Sequence, residues 1–211
     1  MQTLHERDTD LSVIIPVYNL ENYLTPILIT LKDQDTAYYN VEIIFVLNNC
    51  TDESEKVIRL SGIDCTIMNC DIQGCGPARN AALEVARGEY VWFIDGDDCL
   101  LSTTAFRDVL DRMKRDGLSI IRIPFASEKF RWPYFSMVWQ YVMRRDFIGD
   151  VRFPNYQPAE DDAFMDTLLG KAGYDRWNYM DMPSMDAPLY FYNYLREGSN
   201  MYRCTILGEK I

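Results

Sequence analysis

The chain has 211 residues, 48% of them hydrophobic, with 21 Lys and Arg against 32 Asp and Glu for a net charge of -11. That length fits one domain with enough apolar residues for a core, and the acidic balance argues against a nucleic-acid-binding surface or electrostatic docking on anionic lipid. An anionic substrate stays open, because a bound metal inverts the local charge.

Residues 1–10 form a polar tail carrying the one histidine, His5, which makes a histidine-based triad untenable. No apolar leader or membrane-length stretch follows, so the expectation is a cytoplasmic chain with no transmembrane segment, peripheral association at the inner face of the membrane remaining open. Leu11–Val17 reads as a buried strand with Pro16, which cannot donate to a ladder, at its exit. Tyr18 and Asn19 follow, then a helix from Glu21 to Lys32 in which Pro26 suits only a first turn. Val41–Leu47 is a second strand, ending in Asn48-Asn49-Cys50-Thr51-Asp52, where Thr51 or Asp52 can cap a helix running to Leu60. A short strand, Cys65–Met68, leads to a loop with Gly74 and Gly76, and Pro77 opens a helix that Gly88 ends. None of the six cysteines forms a CxxC pair; reduced, partly buried thiols are expected over a zinc site at Cys65, Cys70 and Cys75.

Tyr90–Ile94 is apolar without a break and runs into Asp95-Gly96-Asp97-Asp98. Such a run suits a strand buried on both faces, and its carboxyl end is where open α/β sheets bind ligands. In extended backbone Asp95 and Asp97 point the same way, which suits a hard cation, Mg2+ or Mn2+, bridging carboxylate and substrate phosphate. A helix over 102–115 and a strand Leu118–Ile123 complete an alternation that signifies a largely parallel α/β sheet. Neither GxGxxG nor GxxxxGK[ST] occurs, so a dinucleotide Rossmann site and a P-loop are both unsupported.

The later chain differs: aromatic and basic residues crowd 125–156, and Ser136–Arg145 has helical length. Trp132–Tyr141, Trp139 included, suits either stacking on sugar faces or an aromatic core. Glu160-Asp161-Asp162 opens an apolar helix, where acids also match the helix dipole, and Pro188–Tyr194 reads as a last strand.

Taken in order, these motifs resemble the family 2 glycosyltransferases of GT-A fold. The resemblance rests on Pro16-Val17-Tyr18-Asn19, Asn49-Cys50-Thr51-Asp52, Gly76-Pro77-Ala78-Arg79-Asn80-Ala81-Ala82, Asp95-Gly96-Asp97-Asp98, Val138 to Arg145 with Arg152-Phe153-Pro154, Glu160-Asp161, and Tyr192 to Ser199. It covers about residues 11–200 and implies a nucleotide-sugar-binding half, 11–125, and an acceptor-binding half, 126–211, of one domain. It also implies a cell-wall or polysaccharide-building, inverting enzyme. A nucleotide-sugar donor would lie against Pro16, Tyr18, Asn19, Asn48, Arg79 and Asp95, with Mn2+ or Mg2+ on Asp97. On the acceptor side, a glycan or lipid-linked hydroxyl would be deprotonated by Asp161, with Glu160, Asp162 and Trp139 nearby. Leu47-Asn48 stands where the family often carries an acid used against the base or ribose, a departure from the pattern; a UDP-linked donor remains the first expectation, and the lack of a QxxRW motif suggests single-sugar addition. Two alternatives remain: a sugar-nucleotide nucleotidyltransferase, which would begin with a glycine-rich loop after the first strand, and a non-catalytic module that keeps the fold.

Overall fold

Seven consecutive buried residues, Leu11–Val17, form β1, against which the rest of the sheet is laid. The fold is taken from a computed structural model that describes residues 8–127, 136–155 and 159–193. The further elements are α1 (Thr25–Lys32), β2 (Val41–Leu47), α2 (Ser54–Ser61), β3 (Thr66–Asn69), α3 (Cys75–Leu83), β4 (Tyr90–Phe93), β5 (Cys99–Leu100), α4 (Ala105–Asp116), β6 (Ile120–Arg122), β7 (Phe125–Ala126), β8 (Tyr141–Arg144), α5 (Arg145–Ile148), α6 (Glu160–Lys171) and β9 (Tyr190–Phe191).

The main sheet has the order β3-β2-β1-β4-β8-β6. The strands β1 to β4 run parallel, and β8 is antiparallel to both β4 and β6. A second, small sheet has the order β5-β9-β7. Side chains alternate across the main sheet, as the period of two in a strand requires. Val13, Ile15, Phe45 and Trp92 pack with Ile27, Ile58, Phe106 and Val109 on one face, while Ile14, Ile44, Val46, Val91 and Phe93 pack with Ala78, Ala82, Phe164 and Leu168 on the other. With apolar layers on both faces, the strands had to read as continuous apolar runs.

Three expectations shift. The first helix begins at Thr25, not Glu21, because Pro26 has no N–H and is tolerated only in a first turn. Pro16 lies inside β1, opposite Val46, but β4 pairs with β1 only as far as Ile14, so a donor missing at 16 breaks nothing on that side. The segment Ser136–Arg145, read as helical in length, is a 3-10 turn over Val138–Gln140 followed by β8. Its short apolar run is buried between β4 and β6 and hydrogen-bonds to both, an outcome that periodicity cannot separate from a buried helix.

Candidate functional site

All four parallel strands release their chain at one edge of the sheet, and the candidate residues gather there. Tyr18, just past β1, is 51% exposed, open to contact at this edge. Asn19 takes the left-handed conformation (φ 50°). Its Oδ1 accepts from Thr51 N at 2.8 Å, which ties the loop after β1 to the loop after β2. Asp52 strengthens that tie, accepting from Glu21 N at 2.9 Å and from Ser54 N, at the start of α2, at 3.1 Å.

Asn48 serves the loop after β3. Its Nδ2 donates to Cys70 O at 3.0 Å and Ile72 O at 2.7 Å, and its Oδ1 accepts from Gly74 N at 2.8 Å. At 3% exposure it braces the entry to α3, both of its Nδ2 hydrogens donated to backbone carbonyls. Gly74 then turns the chain at φ 127°, and α3 begins with Pro77 in its first turn, where no helical partner is needed.

Arg79 is the centre of the site. It is 4% exposed, and its Nη1 donates to Asp161 Oδ1 at 2.6 Å while its Nη2 donates to Asp95 Oδ1 at 2.9 Å. Glu160 Oε1 lies 3.8 Å from Nη1, and the Phe153 ring lies 5.4 Å from the guanidinium carbon. Close packing makes this reach feasible: a Cβ on Gly76 would stand 3.0 Å from both Phe153 Cβ and Pro154 O. Ala159 at φ 86° swings the chain into α6, a strained turn of a kind found at functional sites, and sets Glu160 and Asp161 in the helix's first turn. Asp161 is 24% exposed, and its Oδ2 accepts from Val138 N at 3.4 Å. Burial pushes its carboxyl up to about 7 against the pull of Arg79, with Glu160 and Asp95 adding to the rise. Asp162 is exposed, outside the ion pairs made by Arg79.

The three acids of the Asp95–Asp98 turn have separate surroundings. Asp98 N donates to Asp95 O at 3.2 Å, so the backbone is turned, and the extended geometry expected to aim Asp95 and Asp97 the same way does not apply. Asp95 faces Arg79. Asp98 is buried: Tyr190 Oη donates to its Oδ2 at 2.5 Å and Asn193 N to its Oδ1 at 2.7 Å. Burial and the charges of Asp97 and Asp95 hold the Asp98 carboxyl well above the usual range. Asp97 is half-buried, its carbonyl accepting from Asn193 Nδ2 at 3.2 Å. Among the described residues no group of three or more His, Cys, Asp and Glu forms a metal cage. The arrangement fits a divalent ion held by one carboxylate, Asp97, together with substrate phosphates.

Trp139 belongs to the aromatic wall. It is 2% exposed, stacked on Tyr190 at 4.6 Å and Tyr192 at 4.9 Å, with Phe125 edge-on at 5.0 Å. Of the two uses the sequence allowed for this residue, these contacts are those of an aromatic core. The rest of the aromatic stretch through Phe135 and most of the Tyr192–Ser199 motif lie outside the described residues. The clamp by Tyr190 and Asn193 was not read from the sequence, where both merely extend an aromatic strand; only the pairing of β9 with β5 brings them to the turn. A concavity of about 1240 Å3 lies away from this site, lined by Asp10, Glu42, Thr66 and Arg87 near the opposite ends of the strands.

The architecture is that of the GT-A glycosyltransferases. The chain superposes on Staphylococcus aureus TarS 1-349 in complex with UDP-GlcNAc with a TM-score of 0.79 at 23% identity, covering 92% of this chain and 61% of that one. It superposes on the mannosyltransferase PcManGT of Pyrobaculum calidifontis, in complex with GDP-Man and Mn2+, with a TM-score of 0.70 at 15% identity, covering 94% and 61%. In sequence it is 35% identical over 226 residues to the poly(ribitol-phosphate) beta-N-acetylglucosaminyltransferase TarS of S. aureus, covering 94% of this chain and 38% of TarS. It is 34% identical to the minor teichoic acid biosynthesis protein GgaB of Bacillus subtilis over 54% of this chain and 13% of GgaB, so it spans well under half the length of either relative. Residues 12–167 match the family described as Glycosyl transferase family 2, and the chain belongs to that family. Among the described residues no helix is long and apolar enough to cross a membrane.

Proposed function

We propose that this chain forms an inverting, metal-dependent transfer site that moves one sugar from a nucleotide-sugar donor, a UDP-sugar first, to a hydroxyl of a glycan or lipid-linked acceptor. The observation that carries this reading is the pairing of Asp161 and Asp95, acids 66 residues apart in sequence, on one buried guanidinium at 2.6 and 2.9 Å. Asp95 belongs to the donor side and Asp161 to the acceptor side, so one side chain spans the line along which a sugar would pass. Family membership supports glycosyl transfer over nucleotidyl transfer.

An acceptor hydroxyl ionises far above neutral pH and needs a base within hydrogen-bond reach. Asp161, its carboxyl raised to about 7, is matched to that task near neutral pH. It takes the hydroxyl proton as the oxygen attacks the anomeric carbon, the bond to the nucleoside diphosphate breaks on the opposite face, and the configuration inverts in one step. Tyr18, exposed at the sheet edge, is suited to pack against the base. A divalent ion, Mn2+ or Mg2+, would be held by Asp97 and would supply charge stabilisation for the departing diphosphate. The UDP-GlcNAc complex of TarS and its name as a poly(ribitol-phosphate) beta-N-acetylglucosaminyltransferase support UDP-N-acetylglucosamine and a polyol-phosphate polymer as the first substrates to assay. The test is acceptor-dependent UDP release by the wild type and by Asp161→Asn. Loss of release in the variant with nucleotide binding retained supports the assignment, and turnover near the wild-type rate sinks it.

A further inference from the structure

We infer that Arg79 is a positioning residue for the proposed base: it fixes the Asp161 carboxyl for proton abstraction and ties it to Asp95, aligning the acceptor and donor sides through one guanidinium. This rests on the reading of Asp161 as the base.

The resemblance to known transferases implies that Arg79 lies against the nucleotide-sugar donor, but its surroundings point elsewhere. Both terminal nitrogens are engaged, Nη1 with Asp161 at 2.6 Å and Nη2 with Asp95 at 2.9 Å. The side chain is 4% exposed, and its Nε is buried without a hydrogen-bond partner. Phe153 packs against the guanidinium, and Gly76 leaves room for that packing. To reach a nucleotide the guanidinium would have to break its ion pairs with two partly buried acids. A planar fork with two nitrogens at fixed separation sets both the distance and the direction of the two carboxylates, which a lysine ammonium cannot do.

The groups facing Asp161 are Arg79 and Cys75 from α3, Glu160 from its own helix and Asp95 from the turn after β4, with Val138 N on its second oxygen. Among the described residues Arg79 is the one cation of this group, so removing it leaves the base with the like charges of Glu160 and Asp95 uncompensated. Proton affinity then rises and the base is occupied at neutral pH.

The experiment compares wild type, Arg79→Gln and Arg79→Lys by three readouts: the pH profile of kcat/KM for acceptor, nucleotide Kd by calorimetry, and the carboxyl titration of Asp161 by 13C NMR, assigned with Asp161→Asn. For Arg79→Gln the acidic limb and the NMR titration should both move up by about one pH unit or more, and kcat at pH 7 should fall at least about tenfold and partly recover at higher pH. Nucleotide Kd should stay within about twofold. Arg79→Lys, which keeps the charge and loses the fork, should retain the limb and lose kcat. An unmoved titration of Asp161, or a Kd weakened about tenfold with the limb in place, overturns the inference in favour of a donor contact. Should Arg79→Gln not fold, Arg79→Lys decides, and wild-type kcat in that variant overturns the inference. A wild type without transfer activity sinks the base assignment and this inference with it, while the NMR titration still reports whether residues 79 and 161 are linked, which separates the two failures.

Discussion

Gly76→Ala tests how tightly the two halves of the site are fitted. The added Cβ would stand 3.0 Å from Phe153 Cβ, 3.0 Å from Pro154 O and 3.3 Å from Glu160 Cγ. Ordinary contact between carbon atoms begins near 3.5 Å, so residues 153–160 or the first turn of α3 must retreat by about 0.5 Å. Overpacking of this kind costs about 1–3 kcal/mol. Replacing a helical glycine by alanine returns about 0.5–1 kcal/mol of backbone entropy. The net expectation is a loss of up to about 2.5 kcal/mol, or up to roughly 10 °C in Tm for a chain of this size. Activity should suffer more than stability, because the retreat opens the Arg79–Asp161 contact, and a misplacement approaching 1 Å costs about 100-fold in rate. The assay is a thermal melt followed by circular dichroism, alongside acceptor-dependent UDP release at a temperature where both proteins are folded. A variant that melts and turns over like the wild type would refute the claim that close approach at Gly76 positions the site.

Other predictions follow from the same geometry. The acidic limb of kcat/KM should fall near pH 7, set by Asp161, and a limb at the ordinary carboxylate range near 4 would contradict the assignment. Asp161 holds its proton more tightly folded than unfolded, so its contribution to stability is full below about 4 and is lost as pH rises toward about 7. Asp161→Asn should therefore gain on the wild type in urea melts as pH goes from 5 to 8, and parallel curves across that range would argue against a raised carboxyl. Tyr190→Phe removes the hydroxyl that donates to Asp98 and accepts from Asp95 N at 3.1 Å. A loss of about 1.5–3 kcal/mol is expected, with weaker metal-dependent nucleotide binding, and an unchanged melt would mean the clamp carries nothing.

The strands were the most legible part of the sequence. Leu11–Val17 and Val41–Leu47 have the bounds their apolar runs suggest, with Ser12 and Glu42 the one polar residue in each run. The residues of the sheet edge were legible too, since Asn19, Arg79, Asp95 and Asp161 each sit beside a recognisable turn or helix start. Their partners were not. Arg79 meets Asp161 across 82 residues of chain, and local pattern carries no information about such a pairing. For the same reason the sequence could not show that Asn48 braces the loop before α3, nor decide between sugar stacking and an aromatic core for Trp139, which stacks on Tyr190 of β9. The strand β8 was missed because Tyr141–Met143 is apolar throughout, and only its neighbours β4 and β6 determine that it is extended.

The central claim is a metal-dependent nucleotide site on the Asp95–Asp97 turn, and calorimetric titration with UDP, GDP, dTDP and CDP, with and without Mn2+, tests it most directly. The account predicts that one nucleotide, UDP first, binds only with the metal, that Asp97→Ala abolishes this binding, and that Asp161→Asn retains it. Binding of no nucleotide under either condition, or binding that survives Asp97→Ala unchanged, would contradict it.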